Sequence, residues 1–307
     1  MIDPSLVRTF LVVARAGSVS AAAVQLHRSQ PAISAQIRKL ERAFGEPLFV
    51  RGTRGVRLTD LGERLRPRAE ALERVMAGVA ALRDDEGALE GRLGIAASTT
   101  IALYWLPSRL VAFQLAHPGV QVRVITCNSR EAVAALAGGR VDVALVEGLS
   151  EAWRALPATV YAANPVHDDE IVVVVAPSHP LASRDTVDVR ELDGIEVVWR
   201  EVGSGTRDVV QGVLDAVGAR PRVRLELTEP EAMKRAVRAG IGAAFLSRIA
   251  VADEVAAGTL VALPCQDAGL RRAFTLLAPV DELASRATRA FASAAIHRGD
   301  RTEGAVA

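Results

Sequence analysis

The sequence predicts a mixed α/β protein in two parts, a small basic helical head followed by a larger body of alternating strands and helices. Three observations carry that reading. Charge is segregated: residues 1–60 hold nine Lys/Arg against four acids, a net +5 in a chain whose total is +1, which leaves the remainder at −4. Apolar residues near the N-terminus recur at helical spacing, whereas from Gly91 onward short apolar runs alternate with helical ones. Half of the 307 residues are apolar, enough for packed cores in two or three domains.

The head reads as three helices and a hairpin. Asp3 caps a first helix that accepts Pro4 in its first turn and ends at Gly17. Ser18 or Ser20 caps a short second helix. After a turn at His27–Arg28, Ser29 caps a third, with Gln30 and Pro31 in its first turn. Ile33, Ile37, Leu40 and Phe44 form one apolar stripe on that helix, while Pro31, Ala35, Arg38 and Arg42, flanked by Ser34 and Lys39, face the other way. Short groups near the helix start and cations further along suit a helix laid in the DNA major groove. An ordinary three-helix bundle with a charged face has the same pattern. The basic turn after a strand at 48–50, with Arg51, Arg54 and Arg57, adds a wing able to follow the backbone or enter the minor groove. The candidate DNA-binding residues are Ser18, Ser29, Gln30, Pro31, Ala32, Ser34, Gln36, Arg38, Lys39, Arg51, Arg54 and Arg57.

Thr59 caps a long helix in which Leu65, Leu72 and Val79 repeat every seven residues and Leu61, Val75 and Leu82 hold the complementary position. Pro67 should bend or weaken it. The stripe suits either a dimer seam or packing against the head. Asp84-Asp85-Glu86-Gly87 reads as the helix end and a hinge.

The body begins with a strand at 93–97, a helix started by Ser98-Thr99-Thr100, a strand at 120–126, a helix at 131–137 and a strand at 141–146. A second such unit starts at 171–176 and continues through 197–199, 223–227, 229–239 and 243–246. Segments 272–278 and 281–297 return to the first lobe. Two open α/β lobes joined by crossing strands leave a cleft, and ligands of such sheets sit at strand carboxyl ends beside helix N-termini. The candidate effector contacts are Ser98, Thr99, Thr100, Asn128, Ser129, Glu147, Arg200, Ser204, Gly205 and Thr206. Helix starts, hydroxyls and a guanidinium point to a small anion. Each of these residues is also an ordinary cap or turn residue.

The run from Ser18 to Ile37, Leu40-Glu41 and the stretch 48–63 resemble the LysR-type transcriptional regulators. The resemblance covers the whole head. It implies a winged helix-turn-helix at 1–58, a dimerising linker helix at 59–88, and a two-lobed, periplasmic-binding-protein-like effector domain at 91–300. Lobe I would take in about 91–163 and 268–300, and lobe II about 164–267. The segment Arg200–Arg207 is similar to one found in many of these regulators, and 104–122 and 139–148 resemble the branch tied to sulfur or carbon-fixation metabolism. Ala35 departs from the arginine often found there, so no base-by-base readout is carried over. The partners implied are double-stranded promoter DNA, a small-molecule effector, and further copies of the chain as a homodimer or homotetramer, with RNA polymerase as a further candidate.

Other classes fit less well. The sequence contains no nucleophile, acid–base pair or metal-ligand spacing typical of an enzyme, and no cofactor motif. Cys127 and Cys265 form no framework, and Cys127 reads as a small buried hydrophobe rather than a redox sensor. No charged-then-apolar leader opens the chain and no apolar run is long enough to span a membrane, so a cytoplasmic protein is expected. A transport solute-binding protein would need no basic head, and an architectural DNA-binding protein would need no lobes.

Overall fold

The structure, a computed structural model, describes residues 2–52, 55–81, 88–148, 151–154, 156–266, 270–281 and 283–297. It divides into two compact units, the first taking in Met1–Glu86 and the second Gly87–Ala137 and Val141–Ala307.

In the first unit, α1 (Pro4–Ala16), α2 (Val19–Gln25) and α3 (Gln30–Phe44) start at Asp3, Ser18 and Ser29, whose side-chain oxygens accept from the N–H of Ser5, Ala21 and Ala32. Gly17 and Gly45 close α1 and α3 in the left-handed region that favours glycine. Phe10, Leu11, Ile33, Leu40 and Leu48 are fully buried between the helices. Strands β1 (Phe49–Gly52) and β2 (Gly55–Leu58) pair antiparallel as the expected wing. Two contacts fix the wing to the helices. The Glu41 carboxylate accepts from the N–H of Leu48 and Phe49, and the Val56 N–H donates to Gly17 O.

Helix α4 (Asp60–Ala81) runs through Pro67 without a break. Leu65 and Ala69 are buried in the head, and Leu61 and Leu72 pack against it. The anticipated heptad seam is thus divided: its first half covers the head's own core, and among the described side chains its later positions Val75 and Val79 stand exposed, with Met76 beside them. Leu82 and the 84–87 hinge lie outside the described residues.

In the second unit, lobe I contains β3 (Gly91–Ser98), a π-turn (Ile101–Trp105), α5 (Leu106–Ala116), β4 (Val120–Cys127), α6 (Ser129–Ala137), β5 (Val143–Glu147) and α7 (Glu151–Arg154). β3 pairs parallel with β4 and β5. Its side chains alternate between two cores, Leu93, Ile95 and Ala97 on one face and Ala96 on the other, as expected of a sheet covered on both faces.

Strand β6 (Tyr161–Val175) then crosses into lobe II, which holds β7 (Glu196–Arg200), α8 (Gly205–Val217), β8 (Arg222–Leu227), α9 (Pro230–Arg238), β9 (Ala243–Ser247), α10 (Ala252–Ala256) and β10 (Val261–Leu263). Strand β11 (Arg271–Pro279) returns to lobe I and leads to α11 (Arg286–His297). The strand order is β4-β3-β5-β11-β6-β9-β7-β8, with β10 on β6. The sequence expectation started a strand at 171 and left 161–170 unassigned. That stretch is the first part of β6. Its Pro165 sits where the β6–β11 register slips by one residue, a bulge that accommodates the missing N–H.

Candidate functional site

On the head, Ser29, Gln30, Pro31, Ala35, Arg38, Lys39 and Arg42 form an exposed face of α3, with Ala32 and Ser34 half-buried beside it. Arg57 is exposed on β2. Three predicted contacts have structural work of their own. Ser18 and Ser29 cap helices, and Gln36 accepts from the Thr9 hydroxyl at 2.8 Å, tying α3 to α1. Arg54 lies outside the described residues, as does the Arg51 side chain.

In the second unit the effector candidates gather at the carboxyl ends of lobe I and lobe II strands. They resolve into three groups. The first is a buried charge network. Thr100 Oγ1 and Thr206 Oγ1 each donate to Glu147 Oε1 at 3.3 Å. Arg272, unforeseen, lies behind them. Its Nη2 pairs with Glu147 Oε2 at 2.9 Å, its Nη1 donates to Thr206 Oγ1 at 2.9 Å, and its Nε donates to Asp169 Oδ2 at 2.8 Å. Ser247 donates to the other Asp169 oxygen. The side chains of Arg272, Glu147 and Asp169 are 2%, 1% and 0% exposed, so this is a desolvated ionic cluster.

The second group lines the boundary between the lobes, which the Arg130–Gly203 and Glu147–Gly205 contacts cross. Ser129 Oγ bridges the N–H and carbonyl of Glu147. Asn128 caps α6 by accepting from the Glu131 N–H, and the Arg130 N–H donates to Gly203 O. Ser204 caps α8. Gly205 lets the α8 start lie against the Glu147 carbonyl, where a Cβ would stand 1.9 Å from the oxygen. Burial pushes the Asp208 carboxyl above its ordinary range, with Arg130 and Arg207 pulling against it.

The third group has hydrogen-bonding capacity to spare. Ser98, expected to cap a helix, ends β3 directly before the helical residues Thr99 and Thr100, but its hydroxyl makes no cap bond to them. Among the described residues its buried Oγ has no hydrogen-bond partner. Arg200, 3% exposed, spends Nε and Nη2 on Glu201, while among the described residues Nη1 has no hydrogen-bond partner. Thr99, next to Ser98, donates weakly to Cys127 O at 3.4 Å. Cys127 itself packs against the lobe I core.

A separate cluster also escaped prediction. Tyr104 Oη donates to Glu231 Oε1 at 2.6 Å. Lys234 Nζ lies 2.6 Å from the same oxygen, 2.8 Å from Glu254 Oε1 and 2.9 Å from Ala250 O. Burial pushes the Tyr104 hydroxyl well above its ordinary range, reinforced by Glu231. Burial opposes the Lys234 charge, but hydrogen bonds to Glu231 and Glu254 more than offset it and raise its pKa.

Among the described residues no group of His, Cys, Asp and Glu could hold a metal ion, and no single helix is long and apolar enough to cross a membrane.

Two family models match the chain: the bacterial regulatory helix-turn-helix protein, lysR family, over residues 4–63, and the LysR substrate binding domain over residues 86–299. The RuBisCO operon transcriptional regulator of Allochromatium vinosum is 32% identical, covering 88% of this chain and 87% of its own. The uncharacterized HTH-type transcriptional regulator YeiE of Escherichia coli K12 is 35% identical, covering 83% and 84%. Among solved structures, the regulatory domain of Synechocystis CcmR in complex with 2-PG is 26% identical, covering 69% of this chain and 99% of that one, with a TM-score of 0.62. Full-length OxyR of Pseudomonas aeruginosa, at 22% identity, has the same fold over 96% of this chain and 95% of its own, with a TM-score of 0.77.

Proposed function

Because the chain belongs to the LysR family of bacterial transcriptional regulators, we propose that its DNA-binding activity is controlled by a small anionic metabolite held between Ser98 and Arg200. The protein is a DNA-binding transcriptional regulator with an effector-binding domain. The observation that carries the anion reading is the pair of buried donors with spare capacity, Ser98 Oγ and Arg200 Nη1, at the carboxyl ends of β3 and β7. A buried donor left unbonded costs about 1–3 kcal/mol, which a ligand oxygen would recover. Thr100, Glu147 and Thr206 already contact one another and Arg272, which supports a shaping role for them around the anion. Likeness to regulators named for RuBisCO supports the carbon-fixation side of the metabolic alternatives.

A thermal-shift panel tests this. 2-PG, sulfate, phosphorylated sugars, acetylated serine and NADPH are set against uncharged aromatic compounds. An effector at a hundred times its Kd should stabilise the protein by about 2.7 kcal/mol. Ser98→Ala and Arg200→Gln should lose most of that shift. Stabilisation by uncharged or aromatic compounds alone would sink the anion reading.

On DNA, the exposed face of α3 reads bases while Arg57 contacts backbone phosphate. Arg57→Ala should weaken all operator variants alike and lower the log–log salt slope by about 1. Gel shifts at several salt concentrations check it, and an unchanged slope removes Arg57 from the interface. The exposed Val75, Met76 and Val79 on α4 support a homodimer through this helix, which sets two heads on two half-sites. The protein acts in the cytoplasm, and its role requires no catalysis and no cofactor.

A further inference from the structure

The lobes are joined covalently only by crossing chain segments, so their relative position depends on contacts that span the cleft. The contacts of Arg272 with Glu147 and Asp169 do not measure that position. All three residues lie on strands hydrogen-bonded to one another, β11 with β5 and β6. Two bonds near the start of α8 do cross between the lobes, Thr206 to Glu147 and the Arg130 N–H to Gly203 O, and the Tyr104 contact is a further crossing bond on other elements. Tyr104 stands in lobe I on the π-turn Ile101–Trp105, and its acceptor Glu231 stands in the first turn of α9 in lobe II, 127 residues away. No strand pairing links these two elements.

The surroundings prepare this contact. A π-turn inserts a residue into the helical ladder and re-aims the side chains that follow. Trp105 turns into the lobe I core, edge-on to Phe274, while Tyr104 reaches across to lobe II. Lys234, itself 6% exposed, positions the half-exposed acceptor by lying within ion-pair distance of Glu231 and Glu254 while donating to Ala250 O. Lys234 Nζ also lies 5.2 Å from the Tyr104 ring centroid, a cation–π contact. A hydroxyl donating to a carboxylate at 2.6 Å is a short, charge-assisted bond.

We propose that Tyr104 and the Glu231–Lys234–Glu254 cluster form a latch that, together with the seam at Glu147 and Thr206, holds the two lobes in the arrangement seen here. The π-turn follows directly on Ser98-Thr99-Thr100, so a ligand at the end of β3 acts on the latch through a single turn of chain. That consequence rests on the effector reading; the latch itself does not.

Pulsed electron–electron resonance on the full chain tests it without any ligand. Spin labels are placed through Leu115→Cys on α5 and Ala239→Cys after α9, both exposed positions. The background is Cys127→Ser and Cys265→Ser, and labelled protomers are diluted with unlabelled ones. Tyr104→Phe should move the interlobe distance distribution to longer, broader values. Glu231→Gln added to Tyr104→Phe should give no further shift. Tyr161→Phe removes the chain's other tyrosine hydroxyl, which bonds Leu136 O inside lobe I, and should change nothing. A Tyr104→Phe distribution that superimposes on the wild type overturns the latch, as does an equal shift from Tyr161→Phe or an additive one from Glu231→Gln.

Discussion

Replacing Arg272 by methionine is expected to destabilise the effector domain by about 3–5 kcal/mol, the range for removing one partner of a buried ion pair. The reason is arithmetic on a desolvated cluster. Among the described residues Arg272 alone pairs with Glu147 and Asp169, and none of the three side chains is more than 2% exposed. Without it, two carboxylates face each other away from water, and Thr206 loses a donor as well. Methionine keeps most of the volume, so a cavity adds little. The cost should also be coupled. In a Glu147→Gln, Asp169→Asn background, Arg272→Met should cost far less, because no uncompensated anion remains. Denaturant titration followed by tryptophan fluorescence checks this cleanly, since Trp105, Trp153 and Trp199 all lie in the second unit and the head has no tryptophan. A loss below about 1 kcal/mol would mean that water or rearrangement satisfies the carboxylates, against the range for buried pairs.

The cluster also marks where sequence reading stops. The head was readable because each of its devices is local: Asp3, Ser18 and Ser29 cap the residues that follow them, and Ile33, Ile37 and Leu40 make a stripe regardless of what they pack on. The lobes were readable for a similar reason, as continuous runs such as Ile171–Val175 bury both faces. The site depends on register. Arg272 faces Asp169 only because β11 pairs antiparallel with β6 at that residue, a relation 103 positions long. One signal was present, since Asp168-Asp169-Glu170 and Arg271-Arg272 are opposite charges beside two apolar strand runs. Pro165 hid it by making residues 161–170 look unlike a strand. Likewise Ser98 read as a cap because it does precede a helix, and nothing in its sequence announces that its hydroxyl stays unbonded there. The linker helix shows the limit from another side: a heptad repeat states that a face is apolar, not which surface covers it.

Gly205→Ala is expected to destabilise the same domain by about 1–3 kcal/mol, toward the upper end, against the sign that helix propensity alone would give. Gly205 is the first residue of α8, and alanine is favoured over glycine inside helices by up to about 1 kcal/mol. Here the added methyl would meet the Glu147 carbonyl oxygen at 1.9 Å and its carbonyl carbon at 2.8 Å. Both are backbone atoms at the end of a fully buried strand, so no side chain can swing aside. Relief requires α8 to back away from β5, which pulls the adjacent Thr206 off Glu147 and opens the seam between the lobes. Gly212, about two turns further along α8, provides the matched comparison. A Cβ there meets nothing within 4 Å, so Gly212→Ala should stabilise by about 0.5–1 kcal/mol. Opposite signs from the same substitution in one helix separate packing from propensity in a single titration. In gel shifts, Gly205→Ala should leave operator binding by the head in place while abolishing the response to the effector that stabilises the wild type. If Gly205→Ala instead stabilised the domain as Gly212→Ala does, the lobes would have no close seam at this point, and Thr206 could not be holding Glu147 from across the cleft.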